Sequence, residues 1–243
     1  MLGGIPRQKD FRSDGNDGNG NNATYVFDSY DGMTLSIRTR RPAQPSSREP
    51  SGANPLLALA VQPDSTKTFS GGGPSRPNVS SQLATAAVEV RNTGISSVGP
   101  GYLWTARRSY PLLGETLPER QVSDLLAGIA LLRHGSKESG VAVYGQGYTA
   151  PLAIYAALLD QEITEVVLSD PPSSHEASTC PEFLGVLRVG DLPHNLALVF
   201  PRPITFIGKI PAEFEWTKSL YGKLGQEDRV RVVRSAQEWT PYR

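Results

Sequence analysis

Short apolar runs alternate with amphipathic stretches through most of this chain. Tyr25-Val26-Phe27 and Met33-Thr34-Leu35-Ser36-Ile37 flank Asp31-Gly32, and alternation on both sides of Asp-Gly predicts a β-hairpin. Pro55 to Val61 is apolar at every position and of strand length, the pattern of a parallel strand covered on both faces. Ala84 to Val90 reads as a second short strand. Between Leu117 and Arg133 the residues Val122, Leu125, Leu126, Ile129 and Leu132 form one stripe at helical spacing. A strand over Gly140–Tyr144 then passes through a tight turn, Gly145-Gln146-Gly147, into an apolar helix over Ala150–Asp160. A strand at Val166–Asp170, a short helix near Asp191–Leu198, a strand at Ile204–Ile207, a helix near Ala212–Leu224 and a last strand at Val230–Val233 complete the series. Strand–helix alternation of this kind predicts an α/β fold, a mostly parallel sheet with helices on both faces.

The ends and the charge balance narrow the picture. Residues 1–23 read as a disordered lead, because Asp14 to Asn22 is DGNDGNGNN, with nothing to bury and much backbone entropy to lose. Residues 24–243 read as one domain. Lys+Arg and Asp+Glu are both 24, a formal charge of zero. That argues against a nucleic-acid partner, which calls for a basic face. No apolar run reaches the ~18 residues of a membrane helix, so no membrane partner is expected. Met1 to Pro6 holds no apolar signal core, and the compartment stays open. Cys180 is the single cysteine, which excludes a disulfide framework and a cysteine zinc site. His134, His175 and His194 have no carboxylate at ligand spacing, so neither a metal nor a cofactor is expected.

Most of the chemistry in the sequence lies in the stretch Val141 to Tyr155, where a buried strand turns sharply into a buried helix. Two chemistries use such a turn. One is the nucleophile elbow, G-x-S-x-G, which exposes a serine above a helix N-terminus. The other is the dinucleotide fingerprint, G-x-G-x-x-G/A, which lets a pyrophosphate approach that N-terminus. Gly145-x-Gly147-x-x-Ala150 fits the second by letter, with Asp170 in the place of the ribose-binding acid. It fits the first except at the apex, where Gly147 stands for serine.

At this turn the chain resembles the acetyl-xylan-esterase and dienelactone-hydrolase side of the α/β-hydrolase superfamily. The resemblance spans about residues 55–240 and rests on order: Leu56–Val61, then Val88–Gly94, then Leu113–Leu132 with Asp124, then the elbow, then Asp170-Pro171-Pro172 and Pro201–Gly208. It implies Ser, Asp and His in that chain order. The sequence departs from it at each position. Gly147 has no side chain, Lys209-Ile210-Pro211 follows the strand that leads to the acid, and no histidine lies beyond His194. Gln62-Pro63-Asp64-Ser65 stands where many relatives carry a His-Gly oxyanion loop. The resemblance also implies that Arg91 is part of a structural ion pair.

These features point first to a catalytically degenerate hydrolase homologue, not itself an enzyme. It would act as a binding, interaction or structural domain, in one form paired with an active esterase domain. Its ligand is an unspecified small molecule or protein, and Gly145, Gln146, Gly147, Tyr148 and Thr149 are its candidate contacts. A second reading is a carboxylic-ester hydrolase of carbohydrate acetyl esters that uses Asp170 and His175 as a replacement dyad. A third is a nucleotide-binding module using the glycine turn. His134 fits a helix C-terminus, His194 a helix near its start, Cys180 an inert loop thiol, and Trp104, Trp216 and Trp239 core or rim packing.

Overall fold

A computed structural model describes residues 8–12, 22–40, 56–60, 79–80, 83–135 and 140–242. Nine strands form one sheet: β1 (Gln8–Arg12), β2 (Asn22–Asp28), β3 (Thr34–Arg40), β4 (Leu56–Ala60), β5 (Thr85–Glu89), β6 (Val141–Gln146), β7 (Ile163–Ser169), β8 (Ile204–Ile207) and β9 (Val230–Val233). Their spatial order is β1-β2-β3-β5-β4-β6-β7-β8-β9. The first three pairings are antiparallel and the five from β5 onward are parallel. The predicted hairpin is β2–β3. Its turn is closed by the Gly32 N–H donating to the Ser29 carbonyl at 2.9 Å, with Gly32 at φ 84°.

The period of two along the central strands sorts side chains into two cores. Leu56, Ala58 and Ala60 of β4 face a large core, whereas Leu57 and Leu59 face a smaller one with Ala142, Tyr144, Val167 and the fully buried Trp239. The large core is covered by α2 (Leu117–Gly135), α3 (Ala150–Leu159), α4 (Leu192–Ala197) and α5 (Glu215–Lys223). Every member of the predicted stripe on α2 is buried. A capping box starts that helix: the Thr116 N–H donates to Glu119 at 2.6 Å and the Glu119 N–H to the Thr116 hydroxyl at 3.4 Å. Among the described residues no helix is long and apolar enough to cross a membrane.

Two elements differ from the sequence reading. A helix α1 (Pro100–Ser109), absent from the predicted series, precedes α2. The lead, read as disordered to residue 23, contributes β1 and the first two residues of β2. Its order there comes from backbone pairing at the sheet edge, which composition does not encode. The Gly/Asn-rich stretch 14–21, on which the reading of disorder rested, lies outside the described residues, as do Val61 and the oxyanion-loop position 62–65.

Candidate functional site

The turn after β6 is an elbow. The strand runs through Gln146, a tight 3-10 turn covers Gly147–Thr149, and α3 begins at Ala150. The two glycines have different tasks. A Cβ on Gly145 would lie 2.5 Å from the Ala150 Cα and 2.6 Å from the Thr149 carbonyl oxygen, so strand and helix meet at backbone contact there. Gly147, at the apex, has φ 50°, in the left-handed region that a side chain disfavours. Thr149 ties the turn: its hydroxyl accepts the Gln146 N–H at 3.0 Å and donates to the Gln146 carbonyl at 3.1 Å.

Beneath the elbow lies a buried polar network. The Tyr148 hydroxyl donates to Gln121 at 3.1 Å, and Gln121 donates to the Arg91 carbonyl at 3.0 Å. Arg91 lies under the turn after β5 and is held by Asp124 of α2. Its backbone N–H, Nε and terminal nitrogen donate to the carboxylate at 2.9, 2.8 and 2.7 Å. Ser29 adds a fourth donor at 2.6 Å, and Asp31 reaches Arg91 at 2.8 Å. Burial opposes the Arg91 charge, but the bonds to Asp124 outweigh it and hold the guanidinium protonated. This is the structural ion pair expected for Arg91. Burial also raises the Tyr148 hydroxyl above its ordinary value, so the group next to the apex is a neutral phenol.

The other candidates are placed as follows. Gln146 and Ser169 are register partners, so Asp170 follows β7 beside the elbow apex; it is exposed and holds φ 47°. His175 is bound elsewhere. Its Nε2 lies 2.6 Å from the Tyr155 hydroxyl, its Nδ1 3.5 Å from Cys180 Sγ, and its backbone N–H donates to Asp191 at 2.7 Å. Asn195 steadies Tyr155 with a 2.8 Å bond. Burial lowers the His175 pKa against the pull of Asp191 and pushes the Cys180 thiol up to about 12, which leaves a neutral imidazole beside a protonated thiol. The Cys180–His175 contact is a pair that sequence reasoning missed; five residues apart in an irregular loop, they share no periodic signal. His134 is the penultimate residue of α2, and His194, third in α4, packs on Trp216 with ring centroids 4.4 Å apart.

Two further strand ends complete the carboxyl edge. After β8, Gly208 (φ 91°) donates its N–H to the Val233 carbonyl at 2.7 Å and leads into Lys209-Ile210-Pro211. After β9 the chain carries no histidine. Instead Trp239 folds back, and its indole N–H donates to Glu165 at 3.0 Å. Thr205 and Arg231 reach the same carboxylate oxygen at 2.6 and 2.9 Å, and the Tyr242 N–H meets the other at 3.0 Å.

The chain superposes on solved esterases over nearly its whole length. One is assigned as an acetyl xylan esterase, from Bacteroides fragilis: TM-score 0.66, 13% identity, over 98% of this chain and 71% of that one. The chain has an α/β-hydrolase fold. A glucuronoyl esterase from Caldicellulosiruptor kristjansonii superposes at TM-score 0.59 and 15% identity, over 96% of this chain and 74% of that one. An acetyl xylan esterase from Paenibacillus sp. R4 follows at 0.52 and 16%, over 96% and 82%. No family model and no curated protein matches the sequence.

Proposed function

We propose that this α/β-hydrolase-fold protein is catalytically degenerate and works as a binding or interaction domain through the carboxyl edge of its sheet. The observation that carries the reading is Gly147 at the elbow apex, at φ 50° and with no side chain to attack an ester. The same conclusion is supported by Lys209-Ile210-Pro211 after β8 and by Trp239, rather than a histidine, in the segment after β9. An acyl transfer needs a nucleophile and a base that takes its proton, and among the described residues that follow β6, β8 and β9 the positions proposed for them hold Gly147, Lys209-Ile210-Pro211 and no histidine. It does supply the N-terminus of α3, where Gln146, Gly147, Tyr148 and Thr149 are the proposed contacts of a small ligand.

The esterase alternative draws on neighbours that are carbohydrate esterases. Its dyad draws no support from the bonds of His175, which go to Tyr155, Cys180 and, through the backbone N–H, Asp191. The nucleotide reading loses support as well: Gly145 serves strand–helix contact, and the turn follows the sixth strand rather than opening the first βαβ unit.

A chromogenic acetyl-ester assay tests the proposal. Wild type is expected to show no turnover above background. Gly147→Ser is expected to fold, less stable by about 1 kcal/mol from the positive φ, and to stay inactive because the residues after β9, 234–243, hold no histidine to serve as its base. Wild-type turnover abolished by His175→Ala would establish the esterase reading instead.

A further inference from the structure

Helix α1 rests on the protein without being packed into it. Of its ten residues only Leu103 and Ala106 are half-buried and the others are exposed, and the 3-10 turn Tyr110–Leu113 that continues it buries nothing either. A helix of this length is marginal in water unless tertiary packing holds it, so α1 belongs to the low end of local stability. Both its ends are fixed at one place, the turn after β5. Before the helix, the Val98 N–H donates to the Asn92 side chain at 3.2 Å; after it, the Tyr110 side chain hydrogen-bonds Arg91. Between these anchors the side chains of α1 make one ion pair with the rest of the described protein. It joins Arg107 to Glu182, and the two side chains are 59% and 63% exposed.

That pair lies beside the elbow. Two residues beyond Glu182, the Leu184 N–H donates to Glu119 in the first turn of α2 at 2.8 Å. In the same turn of α2, Gln121 accepts the Tyr148 hydroxyl and donates to the Arg91 carbonyl. The base of α1, the segment at Glu182 and Tyr148 of the elbow are therefore gathered around one helix turn. Arg107 and Glu182 are also close enough to act on the Tyr148 hydroxyl electrostatically, in opposite senses. We infer that α1 is a flap over the elbow, hinged at the turn after β5 and latched by the Arg107–Glu182 pair. The inference rests on the binding reading, because what the flap gates is the proposed ligand contacts Gly147 and Tyr148. An exposed ion pair is a weak latch, worth a factor of about 2 to 5 in the ratio of closed to open forms, and salt weakens it further. Opening then exposes no residue of the core, since α1 buries none.

Amide hydrogen exchange of the full chain tests the flap, and a thiol placed at the apex tests what it covers. The amides of Trp104 to Ser109 are expected to exchange at least about 100-fold faster than those of Leu125 to Ile129 in α2. Glu182→Gln is expected to speed exchange in α1 a further 2- to 5-fold, roughly the worth of the latch, and to leave α2 unchanged. Salt at about 1 M is expected to do the same to wild type and to add nothing to Glu182→Gln. In a Cys180→Ser background, Gly147→Cys supplies a single thiol at the apex. Its reaction with an aromatic disulfide reagent, in which the thiolate displaces a coloured thiolate, is expected to accelerate by the same factor when Glu182→Gln is added. Exchange in α1 as slow as in α2 overturns the inference. So does exchange that ignores Glu182→Gln, or an apex thiol whose rate does not follow the latch. Wild-type ester turnover would undo the binding reading while leaving these rates unaltered, so the two failures are told apart.

Discussion

An Asp124→Ala protein is expected to lose about 3–5 kcal/mol of stability, because the substitution strands a buried guanidinium. The Arg91 side chain is 6% exposed and that of Asp124 not at all, and the carboxylate accepts three bonds from Arg91 and one from Ser29. After the substitution Arg91 keeps Asp31, a more exposed carboxylate that contacts one terminal nitrogen. The Gln121–Tyr148 chain, which starts at the Arg91 carbonyl, loses its anchor, so the elbow loosens along with the core. Replacing both partners tells the cost of a stranded charge from the worth of the pair. Arg91→Met/Asp124→Leu is expected to be more stable than Asp124→Ala alone. Urea unfolding monitored by tryptophan fluorescence measures both. A loss below about 1 kcal/mol for the single variant would mean that Arg91 escapes to solvent, and the account would fail.

The elements that the sequence predicts are those with a period. Leu56 to Ala60 buries every side chain, and the stripe from Val122 to Leu132 is buried throughout. The last two strands appear at the predicted residues, Ile204–Ile207 and Val230–Val233. Helix α1 escapes the same reasoning because it buries nothing: Tyr102 and Trp104 point to solvent, and no stripe forms. β1 escapes because its order is a matter of pairing with β2. At the site, the elbow is legible as two glycines between apolar runs. Tertiary pairing is not. Arg91 and Asp124 are 33 positions apart, Glu165 and Trp239 are 74 apart, and Tyr155 meets His175 from a helix on the other side of β7. The loop after β7 carries the His175 imidazole to Tyr155 of α3 and its backbone N–H to Asp191 at the start of α4, neither of which the sequence announces.

Gly145→Ala is expected to be far more damaging than Gly147→Ala, although both are glycines of one turn. The cost at Gly147 is conformational. The penalty is that of an L-residue near φ 50°, about 1 kcal/mol. The cost at Gly145 is steric. The new methyl would sit 2.5 Å from the Ala150 Cα, 2.6 Å from the Thr149 oxygen and 2.9 Å from the Ala150 nitrogen. All three are backbone atoms, so no side chain can turn away. Relief needs α3 to move off β6, and seven of the ten α3 residues are buried against the core. That places the loss at the upper end of overpacking, roughly 3 kcal/mol. The shift would also pull the Thr149 hydroxyl from Gln146 and open the turn. Urea midpoints for the two variants, compared at equal slope, measure the difference. Equal destabilisation by both would mean that strand and helix do not meet at Gly145. Gly147→Ala would then be as costly as Gly145→Ala for a reason other than φ, and the division of labour between the two glycines would be wrong.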